Sequence, residues 1–297
     1  MTVIILRRPK LGRATKHVVE KSQYIDAVIR NDKPLPQDLT LVFRWGTTSN
    51  VPCNNVVNTA EAIHRVNDKA GFRRLLMDAW DEVQGNSPPL CPHTIFSDSD
   101  CTFQGNHIQS DEGWDMSFPL IVRPRVHAQG KKVFLVNNFE ELQTAIAKCG
   151  PGWYASEYIN KVAEYRVTFV QGRVVWVAKK TPGDPNAIAW NVSQGGRFDN
   201  VLWSDWPLRA VRVAREAFVL SGLDFGAVDV MVDAEGRPYV LEINSAPSQT
   251  SPYRQECMAK AFDYIVQYGK AAIPVIEEKG GWKKFIHPAL TTEALMV

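Results

Sequence analysis

An excess of charge is the first thing missing: 34 Lys and Arg stand against 32 Asp and Glu in 297 residues, a formal net charge of +2. A dedicated nucleic-acid binder needs a basic excess for its phosphate contacts, so no nucleic-acid partner is expected. No apolar run approaches the roughly 20 residues that cross a bilayer. The first residues, Met-Thr-Val-Ile-Ile-Leu before Arg7, Arg8 and Pro9, are apolar before they are basic, the reverse of a secretory signal. Cysteine is scarce, and Cys53, Cys91, Cys101, Cys149 and Cys257 include no C-x-x-C pair. Such spacing reads as reduced thiols in a cytoplasmic protein rather than a disulfide framework. Cys91, His93, Cys101 and His107 are close in sequence but match no common zinc spacing, so ordinary loop and strand residues are favoured over a zinc site. Internal repeats and low-complexity segments are absent as well.

What is present is enough apolar sequence for a large core, 45% of residues, in a chain long enough to bury roughly three quarters of its unfolded surface. Val3 to Leu6 and Thr40 to Phe43 read as short buried strands. Thr59 to Trp80 reads as a helical stretch, so residues 1–90 form an α/β module. The turn-forming run 81–90 marks its end. Residues 91–155 hold strands at Phe118 to Val122 and Lys132 to Val136, then a helix from Asn138 closed by Gly150-Pro151-Gly152. The remainder, 156–297, opens within a set of longer strands: Trp153 to Ile159, Glu164 to Val170 and Arg173 to Lys179, with a tight turn at Gln171-Gly172. A helix runs from near Pro207 to Gly222, and two strands follow, Gly226 to Val232 and Pro238 to Asn244. The last helix spans about Pro252 to Tyr268, and the tail after Lys270 has no clear pattern.

The most informative residues are Asp229, Glu242 and Asn244. Glu242 and Asn244 are two apart on a strand and share a face. With Asp233 and Gly236 flanking the turn, Asp229 is expected opposite Val240, a diagonal neighbour of Glu242. Two carboxylates buried together require neutralising cations, and hard divalent ions take such oxygen ligands. On the hairpin alone, a metal site and a solvated sheet face remain open alternatives.

The run from Gly222 to Pro247, with Asp229 on one strand and Glu242-Ile243-Asn244 on the next, resembles the metal-binding end of ATP-grasp enzymes. The nearest likeness is to glutamate ligases that extend a ribosomal protein's C-terminus, and more loosely to D-alanine–D-alanine ligase. It spans roughly residues 55–268. Upstream, Asp68-Lys69, Pro119 to Pro124, Ser156 to Ile159, Glu164-Tyr165-Arg166 and Lys179-Lys180 resemble further elements of these ligases. The resemblance implies an α/β (α+β) ATP-grasp fold whose second and third units clamp ATP between antiparallel sheets. It implies that Lys69, Arg123, Gly130, Glu157, Tyr158, Ile159, Glu164 and Lys179 bind ATP. Arg166, Lys180 and Asn191 would act at the transferred phosphate and acyl group. Asp229, Glu242 and Asn244 would hold two Mg²⁺ ions, with Mn²⁺ as an alternative. Relatives more often carry Lys at the position of Arg123, and more glycines in the loop that contains His127 and Gly130.

The activity implied is a carboxylate–amine ligase that forms an acyl phosphate and releases ADP and phosphate. Rival readings keep the fold but change the outcome: a kinase or hydroxyl-acylating enzyme, or a catalytically silent nucleotide-binding protein. The acceptor is a small molecule, an amino acid, a peptide or a protein terminus, with Arg44, Trp45 and Gly46 as weak candidates for contacting it. A homodimer is compatible with the family.

Overall fold

The computed structural model describes residues 1–9, 14–83, 90–110, 115–126, 132–184, 187–190 and 195–270. The chain begins with β1 (Thr2–Arg7), α1 (Ala14–Lys21), β2 (Ala27–Arg30), β3 (Leu39–Trp45) and β4 (Val56–Val57), then α2 (Ala60–Asn67) and α3 (Lys69–Val83). The four strands form a parallel sheet in the order β2-β1-β3-β4. The Val3-Ile4-Ile5-Leu6 run occupies its interior, no more than 1% exposed, because a parallel strand covered on both faces tolerates no polar alternation.

Where the sequence suggests one helix from Thr59 to Trp80, there are two. Thr59 caps α2, its hydroxyl accepting from Ala62 N at 3.2 Å. Asp68 leaves helical geometry (φ −77°, ψ 89°), and its carboxylate accepts from Gly71 N at 3.1 Å to start α3. An aspartate that can bond the next turn's amides competes with helix continuation, which the apolar spacing alone does not show.

The second unit contains β5 (Thr94–Phe96), a meander of β6 (Cys101–Gln104), β7 (His107–Ser110) and β8 (Asp115–Ser117), then β9 (Leu120–Pro124), β10 (Phe134–Val136), α4 (Phe139–Cys149) and β11 (Trp153–Glu157). Its antiparallel sheet has the order β10-β9-β11-β5. Because β11 pairs with both β5 and β9, it crosses the boundary expected at residue 155.

The third unit holds β12 (Lys161–Val170), β13 (Arg173–Thr181), β14 (Arg197–Asn200), α5 (Leu208–Ser221), β15 (Phe225–Asp233), β16 (Pro238–Asn244) and α6 (Pro252–Tyr268). Five antiparallel strands run in the order β14-β13-β12-β15-β16. Gln171 and Gly172, both with positive φ (51° and 74°), make the two-residue hairpin between β12 and β13. One face of this sheet packs through Val167, Phe169, Val228 and Val240 onto α5, α2 and α3. The Phe169 and Phe218 rings stack with centroids 4.7 Å apart. The other face is apolar at one end, where Trp176 and Phe225 meet α6 and the first sheet. Toward the other end of that face the side chains become charged. No helix among the described residues is long and apolar enough to cross a membrane.

Asn58, buried and at φ 68°, fastens the first sheet to the third. Its Oδ1 accepts from the amides of Asp224 (2.8 Å) and Phe225 (3.0 Å), its Nδ2 donates to Phe225 O (2.9 Å), and its own amide donates to Asp224 Oδ2 (2.6 Å). Replacing it with Ala removes these side-chain bonds, together with a longer one from Nδ2 to Arg44 O (3.5 Å), and leaves the Asp224 and Phe225 amides unsatisfied, at a cost of about 2–4 kcal/mol. Urea unfolding of Asn58→Ala should show that loss, and a midpoint equal to wild type would mean that the junction is held elsewhere.

Candidate active site

The site begins with strand pairing. Arg166 on β12 lies opposite Asp229 on β15, and Asp229 lies opposite Glu242 on β16. The expected register, Asp229 opposite Val240, is therefore corrected by two residues. The turn closes at Val232–Pro238, one residue wider than supposed, and Leu241 is bulged between the Val230–Val240 and Asp229–Glu242 pairs. A bulge adds a residue to one strand and re-aims the side chains beyond it. Here it places the two carboxylates side by side.

Their charges are met from neighbouring strands. Arg166 grips Asp229 with two bonds, Nε to Oδ1 at 2.6 Å and Nη2 to Oδ2 at 2.7 Å. Lys180 Nζ, 3.4 Å from the same Oδ2, also donates to Glu164 Oε1. Lys161 donates to Glu164 Oε2 at 2.5 Å and stands over the Trp190 ring, 4.7 Å from its centroid. Asn244 Nδ2 donates to Glu242 Oε1 at 3.0 Å. Glu164 and Asp229 are each 1% exposed and Lys180 is 3% exposed.

Burial opposes ionisation of Asp229, but Arg166 and Lys180 outweigh it and hold the carboxyl far below the usual range. Glu242 is also lowered, burial again being opposed chiefly by Lys69. Lys180 is raised because Asp229 and Glu164 outweigh its burial, whereas burial lowers Lys69 and Lys161.

A cavity of about 280 Å³ opens between the second and third sheets. Of the residues singled out from the sequence, Arg123, Glu157, Tyr158, Ile159, Glu164, Lys180 and Glu242 line it. Arg166 and Asp229 stand beside it, joined through Lys180. Glu157 already accepts from His93 N at 3.2 Å, and Tyr158 N donates to Pro119 O at 3.2 Å, which braces the strand-to-strand connection. Lys69 sits in a small neighbouring recess with Glu242, its Nζ donating to Ile243 O at 2.6 Å. Lys179 is the exception: alternation along β13 turns it away, exposed, while Lys180 points in. Gly130, Asn191 and His127 lie outside the described residues, as does the tail after Lys270.

Other candidates have ordinary places. Trp45 is core, 5.3 Å from the Phe225 ring, and Arg44 Nη1 donates to Ser49 O at 2.5 Å. Cys91 is buried against Arg73 O, His93 sits 3.5 Å from Glu157, and His107 lies 3.4 Å from Asp115. Among the described residues no three His, Cys, Asp or Glu side chains converge on a common point.

Arg73, Lys161 and Trp190 also line the cavity without having been singled out. Nothing in the sequence separates them from solvated or core residues, since each gains its place from packing between elements distant in the chain.

Asp229, Glu242 and the amide oxygen of Asn244 together offer oxygen donors alone, in adjacent positions. That donor set fits a hard divalent cation such as Mg²⁺.

The family model of the RimK-like ATP-grasp domain matches residues 104–264, more than half of the chain. A D-alanine–D-alanine ligase of Laribacter hongkongensis is 30% identical over 145 residues, 46% of this chain and 47% of the relative. Another, of Burkholderia multivorans, is 25% identical over 213 residues, 69% of this chain and 65% of the relative. The chain thus spans about half to two thirds of these curated relatives. A D-alanine–D-alanine ligase structure from Bacillus anthracis superposes with a TM-score of 0.63 at 15% identity, covering 94% of this chain and all of the other. The same ligase solved with ATP gives 0.62 at 14% identity. At these identities the superpositions speak for the fold.

Asp229→Asn tests the buried pairing. It leaves Arg166 without its two-pronged partner and Lys180 with Glu164 alone, and should cost about 3–5 kcal/mol of stability at neutral pH. A depressed carboxyl stabilises the fold above its unfolded pKa of about 3.9 and loses that contribution as pH falls toward its folded value. The gap between wild type and variant should therefore be full above about pH 4 and narrow below it. Unfolding curves with a gap independent of pH would overturn the assignment.

Proposed function

Because the chain belongs to the RimK-like ATP-grasp domain family, we propose that it is an ATP-dependent carboxylate–amine ligase. The reaction passes through an acyl phosphate and releases ADP and phosphate. The observation that carries this reading is the row Arg166–Asp229–Glu242 across three strands, whose Glu242, with Lys180 beside Asp229, lines a cavity between two antiparallel sheets.

A carboxylate is a poor electrophile with a poor leaving group. Phosphorylating it with the γ-phosphoryl group of ATP makes it open to attack by an amine. The protein then has to position the reactants and neutralise charge. Glu157, Tyr158 and Ile159 border the part of the cavity assigned to the base, and Glu164 the ribose. Arg123, Lys161 and Lys180, with Lys69 beside them, supply positive charge for the phosphates. Lys179, exposed on the other face of the sheet, has no place in this set. Asp229, Glu242 and Asn244 would hold Mg²⁺, which would offset phosphate charge. Arg166, released from Asp229, can face the acyl phosphate and then the oxyanion formed on amine attack. Gly130 and Asn191 keep the loop roles that the resemblance implies. The acceptor is a small molecule, an amino acid, a peptide or a protein terminus.

The test is Mg²⁺-dependent ADP formation from ATP with pooled amino acids and short peptides, for wild type and Glu242→Ala. Loss of this carboxylate should lower the rate by about 10²-fold or more, as loss of a key electrostatic group does. Hydroxylamine added to the wild-type reaction should give a hydroxamate. AMP in place of ADP, or ADP without hydroxamate, would sink the acyl-phosphate reading.

A further inference from the structure

The five-stranded sheet ends at β16, an edge strand, so part of its backbone has no ladder partner. Two of those carbonyls are taken by one helix. Lys69 Nζ donates to Ile243 O at 2.6 Å, and Arg73 Nη2 donates to Leu241 O at 2.8 Å. The donors are four residues apart in α3 and so lie on one face of the helix. The acceptors are two apart on β16, and each belongs to the peptide group that joins directly to Glu242 or Asn244.

Leu241 is also the bulged residue that sets Glu242 opposite Asp229. A bulged residue is left out of the ladder, so its carbonyl needs a partner from elsewhere. Arg73 supplies that partner from a fixed position. It is 5% exposed, and its guanidinium lies 5.9 Å from the Tyr154 ring centroid on β11. It therefore touches both sheets that flank the cavity. Its Nη1 is buried with no hydrogen-bond partner among the described residues. One N–H carries the contact to β16, and a lysine could replace it.

We infer that Arg73 is a positioning residue for the metal-binding hairpin: from α3 it holds the Leu241 bulge that places Glu242 beside Asp229, while Lys69 makes the parallel contact before Asn244. The inference rests on the metal role proposed above for Asp229, Glu242 and Asn244, and it acts through those ligands rather than through the reacting atoms.

The experiment measures Mn²⁺ binding by electron paramagnetic resonance, with adenylyl imidodiphosphate saturating, for wild type, Arg73→Met, Arg73→Lys and Arg74→Met. Arg74 is the control, since it follows Arg73 in α3 and pairs with Asp98 at 2.6 Å on the surface. Affinity for the same nucleotide analogue is measured separately in EDTA. Arg73→Met should weaken Mn²⁺ binding by about 10-fold or more, the size of a lost outer-shell support, with metal-free analogue binding within about 2-fold of wild type. Arg73→Lys should recover most of the loss, and Arg74→Met should show none. Should the methionine variant fail to fold by circular dichroism, Arg73→Gln, polar but too short to reach Leu241 O, should show the same Mn²⁺ loss.

Unchanged Mn²⁺ affinity in Arg73→Met overturns the inference. So does an equal loss of analogue affinity in EDTA, which would make Arg73 a nucleotide contact, and so does a lysine variant without recovery. A wild type that binds no Mn²⁺ removes the metal role on which the inference rests. Failure of the ligase reading is separate: wild type would bind metal and analogue, the Arg73 variants would differ as stated, and no substrate would yield ADP.

Discussion

A carboxylate with almost no access to water, Asp229, has to be kept ionised next to a second carboxylate, Glu242. Taking such charges out of water costs several kcal/mol per ion unless partners and good geometry offset it. The fold meets that demand with side chains from three strands. Arg166 supplies a two-pronged contact from β12, Lys180 reaches over from β13, and Asn244 braces Glu242 from within β16. The reverse face of the same sheet is apolar and clamped by α5 with α2 and α3, so the strands that carry the charges cannot slide. A one-residue slip would send every one of these side chains to the wrong face.

The same charge balance bears on what the cavity can accept. Lys161, Arg166 and Lys180 are paired internally with Glu164 and Asp229, and Glu242 faces Lys69, so that four cations meet three carboxylates. A divalent cation alone adds positive charge to pairs that are already satisfied, and a polyphosphate alone adds negative charge. A ligand that brings both lets the pairs exchange partners, the cation taking the carboxylates and the phosphates taking the lysines and the arginine. An ATP–Mg²⁺ pair meets that requirement, in keeping with the proposed reaction.

Much of this was legible in the sequence because the signals are local. The strands Pro238–Asn244 and Phe225–Asp233, helix α6 and the Pro207-to-Gly222 helix α5 follow from apolar periodicity, Pro and Gly punctuation and a strand period of two. The shared face of Glu242 and Asn244 follows from that period alone. The meander β6–β8, β2, β14 and α1 carry little signal in the sequence, because strands of three or four residues and a polar eight-residue helix have too few apolar positions to stand out. The helix break at Asp68 was hidden for a different reason: the apolar spacing continues through it while a side-chain bond ends one helix and starts the next.

Residue type and short spacing were enough to suggest the family likeness and to single out the Asp229 and Glu242-x-Asn244 set, whereas the choice between Lys179 and Lys180 at the end of β13 needed the folded strand. The likeness and the set are properties of the chain before it folds. The register of Asp229 against Glu242, the engagement of Glu164 by two lysines, and the parts played by Arg73 and Lys161 came only with the packed molecule. Each of these depends on a bulge, an edge or a burial created when strands and helices pack together, at separations that reach 168 residues for Arg73 and Leu241. Such placement arises from contacts between distant elements, and no local pattern encodes it.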